Sequence, residues 1–131
     1  MSFKPLPESL EETVRIVVDC AYKVHTTLGP GLLENVYELC LCHELQRVGI
    51  PFSRQHALPV TYKGLIVEAG LRIDILVDNE LVLELKAVEH LLPIHHAQVR
   101  TYLKLMKKRL GLLINFNVTL IKDGINRVIL L

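Results

Sequence analysis

The sequence predicts a mixed β-sheet flanked by helices, an α/β (α+β) fold with elements in the order ααβββαβ and a short final strand. Three observations predict it. Apolar residues recur at helical spacing through the first third of the chain, and from Arg54 the period shifts to two. A helical stretch opened by Pro93 then separates those strands from further apolar runs, which suits a sheet covered by helices.

Each element follows from local chemistry. Leu10, Val14, Val17, Val18, Ala21 and Val24 mark an amphipathic helix from about Ser9 to Thr27, with Ser9 and Glu12 as a capping box. The LGPG of Leu28–Gly31 stops it. A second helix runs from about Leu32 to Val48, with Val36, Leu39, Cys40 and Leu45 facing inward and Gly49-Ile50-Pro51 ending it. Residues 54–62, 66–77 and 81–87 read as strands, separated by turns at Lys63-Gly64 and Asp78-Asn79. The Pro93 helix extends to about Lys108, Gly111 opens the LLINF strand, and Lys122-Asp123-Gly124 turns into a last strand, Val128–Leu131.

Composition narrows the function. The 131 residues form one expected domain, 1–131, with no repeat, low-complexity tract or linker. A formal net charge of +1 gives no bulk positive field, so a nucleic-acid partner has to be argued from a local surface. No apolar run approaches the roughly 20 residues of a membrane span, and the first residues lack a signal-peptide apolar region. Cys20, Cys40 and Cys42 are an odd number of thiols, expected to be reduced core residues in a cytoplasmic protein. On a helix Cys40 and Cys42 stand about 200° apart and cannot grip one metal together.

The second hairpin sets a candidate site. Leu71, Ile73, Ile75 and Val77 alternate along one strand, and Leu81, Leu83 and Leu85 along the next; all are odd-numbered. A three-residue loop, Asp78-Asn79-Glu80, keeps both stripes on one face by pairing Val77 with Leu81, and needs Asn79 or Glu80 in the left-handed conformation. That register sets Asp74 opposite Glu84 on the other face, with Lys86 beside them. Facing carboxylates repel, and a divalent cation between them compensates. A structural salt-bridge triad is the competing explanation, but a buried triad seldom improves on packed apolar residues.

Asp74 followed ten residues later by Glu84-x-Lys86 resembles the core of the PD-(D/E)XK nuclease superfamily, whose fold is restriction-endonuclease-like. More closely, Gly31-Leu-Leu-Glu34-Asn-Val-Tyr37 is similar to the GxxExxY motif of a family placed in that superfamily. The likeness continues through LGPG, RIDILV, ELKAVE, Gln98 with Tyr102, GLLINF and the KDGI turn. Ile73 stands where the superfamily's name has proline, a permissive position. The resemblance implies that Asp74 and Glu84 bind a divalent metal, usually magnesium with manganese as a substitute, and that Lys86 orients or activates the attacking water. The role of an assisting helical Glu carries onto Glu34, and the Leu85 carbonyl joins Asp74 and Glu84 as a candidate ligand.

Glu34 and Tyr37 share a helical face, as do Gln98 and Tyr102, which become candidate substrate contacts; either tyrosine also fits a core role. His90, His95 and His96 read as surface histidines at a helix start, because neighbours on a helix point about 100° apart. Arg100, Lys104, Lys107 and Lys108 form one stripe roughly opposite Gln98 and Tyr102, and read as a solvated face. The expected activity is hydrolysis of DNA or RNA by a metal-activated water. The alternative is a non-catalytic nucleic-acid or protein interaction module retaining a relic site. The sequence is compatible with a homo-oligomer or with the catalytic part of a complex.

Overall fold

Pro7 starts the first helix. Its carbonyl accepts bonds from the amides of Leu10 and Glu11, and α1 spans Glu8–Leu28. The computed structural model describes residues 4–130, apart from the side chain of Ala69. Ser9 lies inside α1 instead of capping it: its carbonyl accepts from the Thr13 hydroxyl, and Glu12 pairs with Arg15. A proline, which has no amide to satisfy, has taken the capping position. The α1 stripe of Leu10, Val14, Val17, Ala21 and Val24 is buried, joined by Cys20.

α2 spans Glu34–Val48 and ends at Gly49, whose φ of 80° is left-handed. Its inward face differs from the aliphatic pattern. Val36 and Leu39 are 36% and 48% exposed, and Cys40 is half-buried, while Tyr37, Glu38, Leu41, Cys42 and Leu45 are buried. Tyr37 decides the rotation. Its ring stacks on Phe116 with centroids 4.7 Å apart, and its hydroxyl donates to the Gly29 carbonyl at 2.6 Å and accepts from the Leu32 amide at 3.1 Å. A buried aromatic with a satisfied hydroxyl outweighs one valine.

Among the described residues the sheet has five strands, β1 (Phe52–Tyr62), β2 (Leu65–Val77), β3 (Leu81–Lys86), β4 (Leu110–Asn115) and β5 (Ile125–Ile129), in the order 1-2-3-4-5. β3 and β4 are parallel and the other pairs antiparallel. A parallel pair needs a crossover, and α3 (Pro93–Met106) supplies it. α3 ends before the expected Lys108 because Lys107 takes a left-handed φ of 58°. A 3-10 turn, Ile121–Gly124, leads into β5, which begins three residues earlier than the expected Val128; Leu131 of that expected strand lies outside the described residues.

Two apolar layers cover the sheet. Ile75, Val77, Leu81, Leu83, Leu85, Leu112 and Ile114 pack with α1 and α2. Val82, Leu113 and Val128 pack with Val99, Tyr102 and Leu103 of α3, and so do Ile73 and Leu76. Leu71 and Ile73 therefore do not share the layer of Ile75 and Val77, as strict alternation would require. The pleat of β2 changes sides at Asp74.

Candidate active site

The β2–β3 turn has the three-residue form expected from the aliphatic register. Asp78 and Asn79 both take left-handed φ values, 51° and 56°, while Glu80 does not, and its amide donates to the Val77 carbonyl at 3.0 Å. Pairing then runs Val77 with Leu81, Leu76 with Val82 and Ile75 with Leu83. There the backbone ladder stops. The next two bonds between the strands are made by carboxylates: the Leu85 amide donates to Asp74 Oδ2 at 2.8 Å, and the Asp74 amide donates to Glu84 Oε1 at 3.1 Å. Side chains that stand in for backbone carbonyls hold both acids between β2 and β3.

Electrostatics make the pair costly without a cation. Glu84 is only 5% exposed. Burial, then the facing Asp74, push its carboxyl up to about 8. Asp74 is half-buried and is also raised, first by burial, against the opposing pull of the Leu85 amide. Lys86 favours the ionised form of both acids and of Glu34. Its backbone pairs with Asn115 at the end of β4, and the Phe116 amide just past that strand donates to the Lys86 carbonyl at 2.9 Å. The buried Asn115 then bonds both the amide and the carbonyl of Val88.

The donor set fits a hard divalent ion. Magnesium takes one or two carboxylates with the remainder water or substrate oxygens. The backbone bonds leave acceptor capacity on both carboxylates. The Leu85 carbonyl lies on the same side of β3 as its amide, since both groups of one residue face one neighbouring strand. Among the described residues, no group of three or more His, Cys, Asp or Glu side chains is arranged as a metal site. The fit is therefore two acids and a carbonyl, which is a magnesium-type set and a poor transition-metal one.

Residues 11–128 match the family model of the PD-(D/E)XK nuclease superfamily. The chain belongs to that superfamily. Searches of curated proteins and of solved structures found no match. Membership carries a nuclease-type function, and PD-(D/E)XK nucleases generally use divalent metals. The mixed sheet with its three helices is consistent with the restriction-endonuclease-like fold of the superfamily. Among the described residues no helix is long and apolar enough to cross a membrane.

The superfamily's helical candidates separate into two kinds. Glu34 opens α2 half-buried, and its carboxyl is raised by burial and then by Asp74. Tyr37 instead ties the Gly29–Leu32 loop to α2 and is a core residue. On α3, Tyr102 is buried, and its hydroxyl is raised first by burial and then by Glu84 and Asp74. Gln98 lies half-buried one turn before it on the same face. Arg100, Lys104 and Lys107 are exposed on the remaining arc. His95 accepts from the Leu92 amide through Nδ1 at 3.0 Å and so caps α3; His90 is exposed.

Two residues of the site were not visible in the motifs. Glu38, 3% exposed, bonds Arg54 Nε at 2.7 Å and the Gln55 amide at 2.8 and 3.0 Å. Its spacing of four from Glu34 was a usable signal, since it puts both acids on one helical face. Gln55 had none. Its neighbours Arg54 and His56 pair with Ile75 and Ile73, which sets Gln55 opposite Asp74.

Proposed function

We propose that the protein is a magnesium-dependent phosphodiesterase acting on DNA or RNA, built as one domain over residues 1–131. The observation that carries this reading is the opened β2–β3 ladder, in which the buried Glu84 faces the half-buried Asp74 beside a single lysine. Asp74, Glu84 and the Leu85 carbonyl would hold the ion, with manganese as a substitute. When bound, the ion would acidify a water and neutralise charge on the scissile phosphate.

The chain's own groups do the rest. Lys86 orients the attacking water and stabilises charge developing on the phosphate oxygens. Glu34, with its carboxyl raised, holds a proton or a water at the α2 side of the gap. Gln98 and Tyr102 donate to phosphate oxygens from α3. The unbridged thiols fit a cytoplasmic setting, where disulfides are rare.

The test incubates purified protein with single- and double-stranded DNA and RNA, with magnesium, manganese or a chelator. Cleavage is expected with either metal and none with the chelator. Asp74→Asn should lower the rate by about 100-fold or more. Activity that persists at the native rate in Asp74→Ala sinks the proposal. Native protein that binds neither metal by calorimetry leaves the relic interaction module in its place.

A further inference from the structure

Five described residues other than glycine have positive φ. Lys63, Asp78 and Asn79 lie in hairpin turns and Lys107 caps a helix, where such angles are ordinary. Gln55 is the fifth, with φ 51°, and it lies inside β1. An L-residue pays to adopt that conformation in a strand, and such outliers persist only where surrounding contacts hold them.

The contacts that hold Gln55 are specific. Arg72 Nη1 donates to its carbonyl at 3.2 Å, taking up a group turned out of the ladder. Its side-chain Nε2 donates to both oxygens of the buried Glu38, at 2.8 and 3.0 Å. Arg54 holds the same carboxylate through Nε at 2.7 Å and bonds Asn35 Oδ1 at 3.3 Å. A local distortion of this kind re-aims a side chain. Here it sets a neutral amide donor on Glu38 of α2, at the β1 position opposite Asp74 of β2.

We propose that Gln55 is the positioning residue of the site: set opposite Asp74 and anchored on Glu38, its amide fixes where the Asp74 carboxylate stands in the opened ladder. This rests on the reading of Asp74 as a metal ligand. The chain Arg54–Glu38–Gln55–Asp74 then links α2, β1 and β2 at the point where β3 leaves the ladder. The Gln55 amide also favours the ionised form of Asp74. An amide suits this place because a third carboxylate would repel both neighbours and a lysine would compete with the cation.

The test uses Gln55→Met, which keeps the length and removes the donor, and Gln55→Gly, which relieves the left-handed φ. Manganese affinity measured by calorimetry on the folded variants should fall about 10- to 100-fold. A double-mutant cycle in metal-free protein pairs Gln55→Met with Asp74→Asn, and separately with Glu38→Gln. Gln55→Met should shift the unfolding equilibrium about fivefold more in the native background than beside Asp74→Asn. Native manganese affinity in both variants overturns the proposal. So does coupling to Glu38 alone, the signature of a merely structural amide. If native protein binds no manganese while the Asp74 coupling persists, the positioning role stands and the metal reading falls; without that coupling the positioning role falls too.

Discussion

At Glu84 the carboxyl titrates near 8, against an ordinary value of 4.5, because it is buried and faces Asp74. Between those two values the folded chain binds a proton that the unfolded chain has released. Stability of the metal-free protein therefore falls as pH rises from about 4.5 to about 8. Glu84→Gln removes the Glu84 share of that dependence, leaving the smaller shares of Asp74 and Glu34, and at pH 8 it should stabilise the metal-free protein by on the order of 2 kcal/mol in urea melts. A melt in which Glu84→Gln is the weaker protein at pH 8 would contradict the buried-charge account. The confrontation of Asp74 with Glu84 was legible in the sequence because aliphatic neighbours on both strands set the register. The elevated titration was not, because it depends on how deeply the helices cover that pair.

β2 is the element where alternation misled. Odd-numbered aliphatics suggest one continuous stripe, yet Ile73 joins the α3 layer and Ile75 the α1–α2 layer. A change of pleat within one residue leaves the hydrophobic pattern intact on both sides, so periodicity cannot report it. In α2 the aliphatic pattern pointed to Val36 and Leu39, while Tyr37 governs the rotation through two hydroxyl bonds. Tyr37→Phe removes both hydroxyl bonds, to the part-buried Gly29 carbonyl and Leu32 amide, and should cost about 1–2 kcal/mol by thermal melt. At the far end of the site a Cβ on Gly124 would collide with the Asn115 carbonyl. Gly124→Ala should displace Asn115 from Val88, loosen the backbone after Lys86 and lower stability by about 1–3 kcal/mol. A native melting curve for that variant would show that β4 and the turn can move apart freely.

Across the whole molecule, topology was more legible than register. The order of elements follows from spacing and turn residues, whereas the alignment of β1 against β2 does not follow from their turn. Counting back from the Tyr62–Leu65 pair would set Gln55 opposite Arg72. Pairing shifts between Leu58 and Val60, around Pro59, which has no amide to donate, and beyond the shift Leu58 meets Leu71. That slip brings Gln55 to Asp74, so one proline's missing donor helps compose the site. The core also sorts the thiols. Cys20 is buried with its thiol raised, Cys42 is buried with its thiol pushed up to about 11, and Cys40 is half-buried. A thiol-reactive dye should therefore label Cys40 first in native protein and all three after denaturation. Equal labelling rates in native protein would contradict this packing.

The carboxylates that close the gap between β2 and β3 do so through two main-chain N–H groups, those of Leu85 and Asp74. Amide resonances are sensitive to the charge on their acceptor, so these two protons form a built-in spectroscopic gauge. A proton, an ion or a phosphate arriving at the acids changes what each amide is bonded to. Its effect should appear in a nitrogen–proton correlation spectrum as shifts centred on Leu85 and Asp74. Occupancy of the site can thus be followed without a label, a substrate or a turnover.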